Sequence, residues 1–89
     1  MRIEFDPVKD AANLAKHGVS LALAGELDWD AALVWVDDRF EYDELRMIAL
    51  APKTSILYFV AYVERAAVRR PISLRRANRR EVKRYVQSL

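Results

Sequence analysis

The chain has 89 residues, 53% of them hydrophobic, no cysteine and one histidine, so it makes one small core and excludes disulfides, thiolate chemistry and Cys- or His-rich metal centres. Its formal charge of +2 conceals a polarity: residues 1–44 hold eleven Asp/Glu and four Lys/Arg, residues 45–89 eleven Lys/Arg and two Asp/Glu. There is no long uncharged apolar run and no signal-peptide pattern, so a soluble cytoplasmic protein without a membrane partner is expected.

Residues 2–5 read as a short strand. Asp6-Pro7 is a helix start, with Asp as N-cap and Pro in the first turn, and residues 7–17 suit the helix. Gly18 stops it, and Ser20 caps a second short helix over about 20–27. The segment 32–36 is strand-like, and the polar stretch Asp37–Asp43 is a turn. Residues 45–51 form the next strand, ended by Pro52-Lys53. Residues 55–63 are apolar at both parities, which predicts a central strand covered on both faces. Residues 64–66 turn the chain into a strand over 67–74, where Pro71 requires an edge or a bulge. Asn78 caps a last helix to about Ser88, with Glu81 completing a capping box and Val82, Tyr85, Val86 and Leu89 as its docking stripe. The order β-α-α-β-β-β-β-α gives a single α+β domain over 1–89: a small, mainly antiparallel sheet, with the two early helices on one face.

Three groups of side chains can carry chemistry. On the first helix, Val8, Ala11, Ala12 and Ala15 share one side, while Lys9, Asn13, Lys16 and His17 share the other. Periodicity alone makes Lys9 and Asn13 solvated. His17 is either a dipole-satisfying residue or a functional imidazole. The acidic run Asp37, Asp38, Glu41, Asp43 and Glu44 can attract Mg²⁺, but its spacing matches no ligand loop, so it reads as a solvated turn. Arg46, inside a strand, has the parity of Glu44, which predicts a pair between them. Last comes the basic tail, with nine Arg/Lys between Arg65 and Tyr85 and one acid, Glu81. Arg70, Ser73, Arg75 and Arg76 lead into a helical stripe of Arg76, Arg79, Arg80 and Lys83. Such density on one surface attracts phosphate, and the planar Arg fork binds two oxygens at once. Trp29 and Trp35 are read as packing residues rather than base-stacking ones.

These motifs resemble BrnT-type toxins. FDPVKDAANLAKHGVS is similar to the family's opening, through Asp6, Pro7, Lys9, Asn13, Lys16, His17, Gly18, Val19 and Ser20. DDRFEYDELR resembles its middle motif through Asp38, Arg39, Tyr42, Glu44 and Arg46. The tail resembles its closing pattern through Glu64, Arg65, Arg70, Ile72, Ser73, Arg75, Ala77, Glu81 and Tyr85. Asp43 stands where the family usually has Gly, and Pro71 where it usually has a β-branched residue. The resemblance implies a RelE-like ribonuclease fold and the toxin of a bacterial type II toxin–antitoxin pair that cleaves RNA and inhibits translation. Its implied partner is a BrnA-type antitoxin with a ribbon-helix-helix domain, through which alone the complex reaches operator DNA.

Metal-free cleavage of RNA needs a base at the 2′-OH, cations around the phosphorane and a donor to the leaving 5′-oxygen. Arg46 and Arg75 suit the phosphorane, Glu44 or His17 the base, and Lys9 or His17 the donor. Lys16, Arg70, Arg76, Arg79 and Lys83 are the expected RNA-binding residues, and no cofactor or metal is expected. The rival reading is a non-catalytic basic module that binds nucleic acid or a partner.

Overall fold

The computed structural model describes residues 1–89. Five strands form one sheet in the order β1-β5-β4-β3-β2: β1 is Arg2–Ile3, β2 Leu33–Val36, β3 Met47–Lys53, β4 Ile56–Arg65 and β5 Val68–Arg76. Only the β1–β5 pair is parallel. The α+β class and element order are as expected, and β4 is central, as its two-sided apolar sequence requires. Pro52 does not end β3; it stays in the ladder opposite Leu57, and the turn falls at Thr54-Ser55. The β4–β5 hairpin closes through Ala66 and Ala67, both at positive φ, a backbone that L-residues enter at a cost of roughly 1–2 kcal/mol each.

Each sheet face buries its own cluster. On one, Ala49, Val60, Tyr62 and Leu74 meet Leu21, Ala24 and Leu27. These last three come from the expected second helix, which is a 3₁₀ segment over Leu21–Glu26 and its C-cap; a shorter 3₁₀ segment follows at Trp29–Ala31. On the other face, Ile48, Leu50, Phe59 and Ala61 meet Leu33, Trp35 and Tyr85.

Helix α1 spans Pro7–His17 with the expected caps: the Val8 N–H donates to Asp6 Oδ1 at 3.0 Å, and Gly18 sits at φ 75°. Its facing corrects the sequence reading. Val8 is 76% exposed, Ala11, Ala12 and Ala15 are also exposed, and Asn13 is buried at 6%. The reason is that α1 lies along the edge of β5, beyond the end of the two-residue β1, instead of over a sheet face. A strand edge offers unpaired backbone groups, which call for a polar side chain. Asn13 meets both: its Nδ2 donates to Leu74 O at 2.8 Å and its Oδ1 accepts from Leu74 N at 3.1 Å. Nδ2 also donates to Val19 O, at 2.9 Å. Asp10, one turn earlier, accepts from Ser20 Oγ and from the Leu21 N–H, fixing the corner after the helix.

Helix α2 spans Arg79–Gln87 and has the expected capping box between Asn78 and Glu81. Its apolar stripe does not dock as predicted: Val82, Val86 and Leu89 are 41%, 58% and 87% exposed. Only Tyr85 tucks in, its hydroxyl donating to Ala31 O at 2.6 Å. The aromatic surface a longer stripe would cover is capped by guanidinium groups instead. Arg75 lies 4.1 Å from the Phe59 ring centroid and Arg84 lies 3.8 Å from that of Trp35.

Candidate active site

A β-bulge creates the site. Ala61 pairs with Ser73 and Tyr62 with Pro71, leaving Ile72 as the extra residue. Simple alternation would put Arg70 on the opposite face from Ser73 and Arg75. The extra residue re-phases the strand so that all three share one face. Pro71 thus occupies the bulge that its missing N–H demanded.

Cross-strand pairs on that face make three rungs. Val63–Arg70 forms the first, with Arg46 just before β3 on the same side; Ile48–Ala61–Ser73 forms the second and Leu50–Phe59–Arg75 the third. First and third rungs are separated by roughly 13 Å of backbone. Helix α1 runs beside them. Lys9 lies at the first-rung end, Asn13 at Leu74, and His17 at the Arg75 end, about 12 Å along the helix.

At the first rung lies a cleft of about 520 Å³. Lys9, Arg46, Arg65 and Arg70 line it together with Asp6, Glu41, Asp43 and Glu44. The expected Arg46–Glu44 pair is not formed: Glu44 pairs with Arg65. Arg46 stacks 4.0 Å from the centroid of Tyr42, which leaves its guanidinium edge free. The side chains of Lys9, Arg46 and Arg70 make no ion pair or hydrogen bond.

The acidic turn is not simply solvated. Asp37 is buried and accepts two bonds from the Arg39 side chain, at 2.8 and 2.9 Å, and one from Tyr42 Oη at 3.2 Å. The Arg39 hydrogen bonds, opposed by burial, hold its carboxyl at about 2. Its own N–H donates to Arg46 O at 2.8 Å. Asp37 therefore fixes both Tyr42 and the backbone of Arg46. Sequence reasoning missed this organising role, and the available signal was the local one of an acid followed by Arg and Tyr two and five residues on. The run does not gather three carboxylates into a metal-binding group.

The other candidates lie outside the cleft. Arg75 is held in a two-pronged pair with Glu81, at 2.8 and 3.0 Å, as well as on Phe59. Burial pushes the Glu81 carboxyl up, but the Arg75 bonds and the Asn78 N–H outweigh it, so the net direction is downward. His17 is half-buried; desolvation, then the charges of Lys16 and Arg75, push its pKa below the ordinary value, so the imidazole is mainly neutral at pH 7. Lys16 is exposed beside it.

The basic tail does not form one surface, and Arg76 is the last residue of β5, not part of a helical stripe. Arg76 pairs across from Tyr58 and Arg69 from Glu64, both on the face opposite Arg70 and Arg75. Arg69 is bonded to Glu64 and stacks on Trp29, Arg65 and Arg75 hold carboxylates, and Arg84 covers Trp35. Five of the nine remain unpaired: Arg70, Arg76, Arg79, Arg80 and Lys83. Arg79, Arg80 and Lys83 line a shallow depression with Asn78 that shares no residue with the cleft.

Fold and site define a class: a small α+β domain with unpaired cations converging on the open face of its sheet, suited to a polyanion. The chain matches, over residues 5–81, the family described as the ribonuclease toxin BrnT of type II toxin–antitoxin systems. It belongs to that family, which brings with it an RNA target and an antitoxin partner. A search of curated proteins gives no match. No helix is long and apolar enough to cross a membrane.

Proposed function

We propose that this chain is an endoribonuclease toxin that cleaves RNA without a metal, at the cleft between α1 and the first rung. The observation that supports it is the convergence of Lys9, Arg46 and Arg70, three cations with no carboxylate partner, on a cleft that also holds Glu44. Arg46, backed by Tyr42, and Arg70 bind the non-bridging oxygens and stabilise the phosphorane. Glu44 accepts the 2′-OH proton as the 2′-oxygen bonds to phosphorus. Lys9 gives a proton to the 5′-oxygen as its bond to phosphorus breaks. The products are a 2′,3′-cyclic phosphate and a 5′-hydroxyl. Arg65 pairs with Glu44 and orients it. Arg75, already paired with Glu81, supports RNA further along the strand with Lys16 and His17. Inhibition is by a BrnA-type antitoxin whose acidic residues meet Arg79 and Lys83 and whose ribbon-helix-helix domain carries the pair to operator DNA.

The test is cleavage by purified protein in excess EDTA, with end-group analysis, alongside induction of the parent and Arg46→Ala in bacteria. The expected result is cutting in EDTA with cyclic-phosphate ends, and loss of both cutting and toxicity in a folded Arg46→Ala. Cutting that requires Mg²⁺, or a fully toxic Arg46→Ala, refutes the mechanism. Salt-sensitive binding without any cleavage points to the non-catalytic module instead.

A further inference from the structure

Beside the cleft, sharing Tyr42, Asp43, Glu44 and Arg46 with it, is a second hollow of about 290 Å³. Phe40 and Leu45 form its apolar walls, and they are 70% and 67% exposed. Single exposed apolar side chains are ordinary on a protein surface, but these two wall the same hollow, and the loop that carries Phe40 is fixed. Arg39 and Tyr42, on either side of Phe40 in the chain, are both tied to the buried Asp37. The Phe40 and Tyr42 rings meet in a T, with centroids 6.1 Å apart at 77°, so the two are not stacked in parallel. Nothing in the packing of either core cluster uses Phe40 or Leu45. On the rim, Glu44 is occupied by Arg65, while Asp43 makes no ion pair or hydrogen bond.

We infer that this hollow is a nucleobase subsite, in which Phe40 stacks on a base next to the phosphate at Arg46 and Asp43 accepts from its exocyclic amine. The inference rests on the ribonuclease reading for the identity of the ligand. Its basis is continuity: a base attached to a phosphate held at Arg46 reaches the next hollow along, and that hollow offers a ring face for stacking and an acceptor for the base edge. Stacking on an aromatic tolerates any base. A carboxylate acceptor discriminates, because adenine, cytosine and guanine carry an amino group and uracil does not. The pocket is pre-organised by Asp37, so ordering it on binding costs little.

The experiment uses the full chain with short RNAs made uncleavable by 2′-O-methyl groups, and cleavable RNAs for site mapping. Binding is measured for the parent, Phe40→Ala, Phe40→Trp and Asp43→Asn. Phe40→Ala is expected to weaken binding between about 5-fold and about 150-fold, the range of one lost base–aromatic stack. Phe40→Trp is expected to restore it, and the loss in cleavage to fall on KM rather than kcat. Asp43→Asn is expected to reduce discrimination against uracil at the mapped sites. Unchanged binding by Phe40→Ala, with the parent's cleavage pattern intact, overturns the subsite while leaving the ribonuclease reading standing. Phe40-dependent binding by a parent that cuts no RNA does the reverse. Normal RNA binding by Phe40→Ala with weakened capture of the antitoxin also overturns the subsite, and reassigns the hollow to the protein partner.

Discussion

Replacing Asn13 with alanine should unfasten α1 from the sheet. The amide makes three hydrogen bonds, two to Leu74 and one to Val19, and Leu74 is fully buried. Each bond contributes about 1 kcal/mol net, and a buried backbone group left without a partner costs roughly 1–3 kcal/mol. No strand lies outside β5 at Leu74 to replace the lost partner. Taking about 3 kcal/mol for the substitution, a domain of this size should melt about 12–24 °C lower. Asn13→Asp separates this from a simple loss of volume. It keeps the acceptor for the Leu74 N–H but turns a carboxylate oxygen toward two carbonyls, so at pH 7 it should be at least as damaging as alanine. Acidification protonates that carboxyl and returns a donor, so the deficit should narrow at low pH. Thermal melts followed by circular dichroism, at pH 7 and pH 4.5, read all of this. An Asn13→Ala midpoint within roughly 2 °C of the parent would refute the account, because an edge held by this amide cannot lose it at so little cost. Cleavage should fall more than stability, since α1 carries Lys9 to the cleft.

Two further outcomes are expected. Asp37 titrates at about 2 in the folded chain against an ordinary value of 3.8. A folded value below the unfolded one means that its contribution is full above about pH 4 and is lost as pH falls through 2, on the order of 2 kcal/mol in all; a parent and Asp37→Asn whose unfolding free energies differ by the same amount at pH 7 and pH 2 would contradict it. For the antitoxin, the unpaired Arg79 and Lys83 should speed association electrostatically. Salt, or Arg79→Glu with Lys83→Glu, should lower the on-rate more than it raises the off-rate, and an on-rate insensitive to both would move the interface elsewhere.

Much of the architecture was legible in the sequence because its signals are local. Asp6-Pro7 and Gly18 bounded α1, Asn78 and Glu81 opened α2, and the segment 55–63, apolar at both parities, placed β4 at the centre. Motif order was also enough to name the family. Facing was not legible, because it depends on what lies opposite. Alanines at helical spacing predict a buried stripe, but α1 meets a strand edge, and an edge selects the amide of Asn13 over methyl groups. Strict alternation separates Arg70 from Arg75, and only the pairing of β5 with β4 inserts Ile72 as a bulge and unites them. Partner choice followed the same rule. Glu44 shares strand parity with Arg46 but turns to Arg65, and the acid at position 37 looks solvated until Arg39 and Tyr42 fold over it. Composition fixed how many cations the tail carries, whereas the tertiary structure decided which were neutralised by carboxylates or laid on aromatic rings and which were left free for an anion.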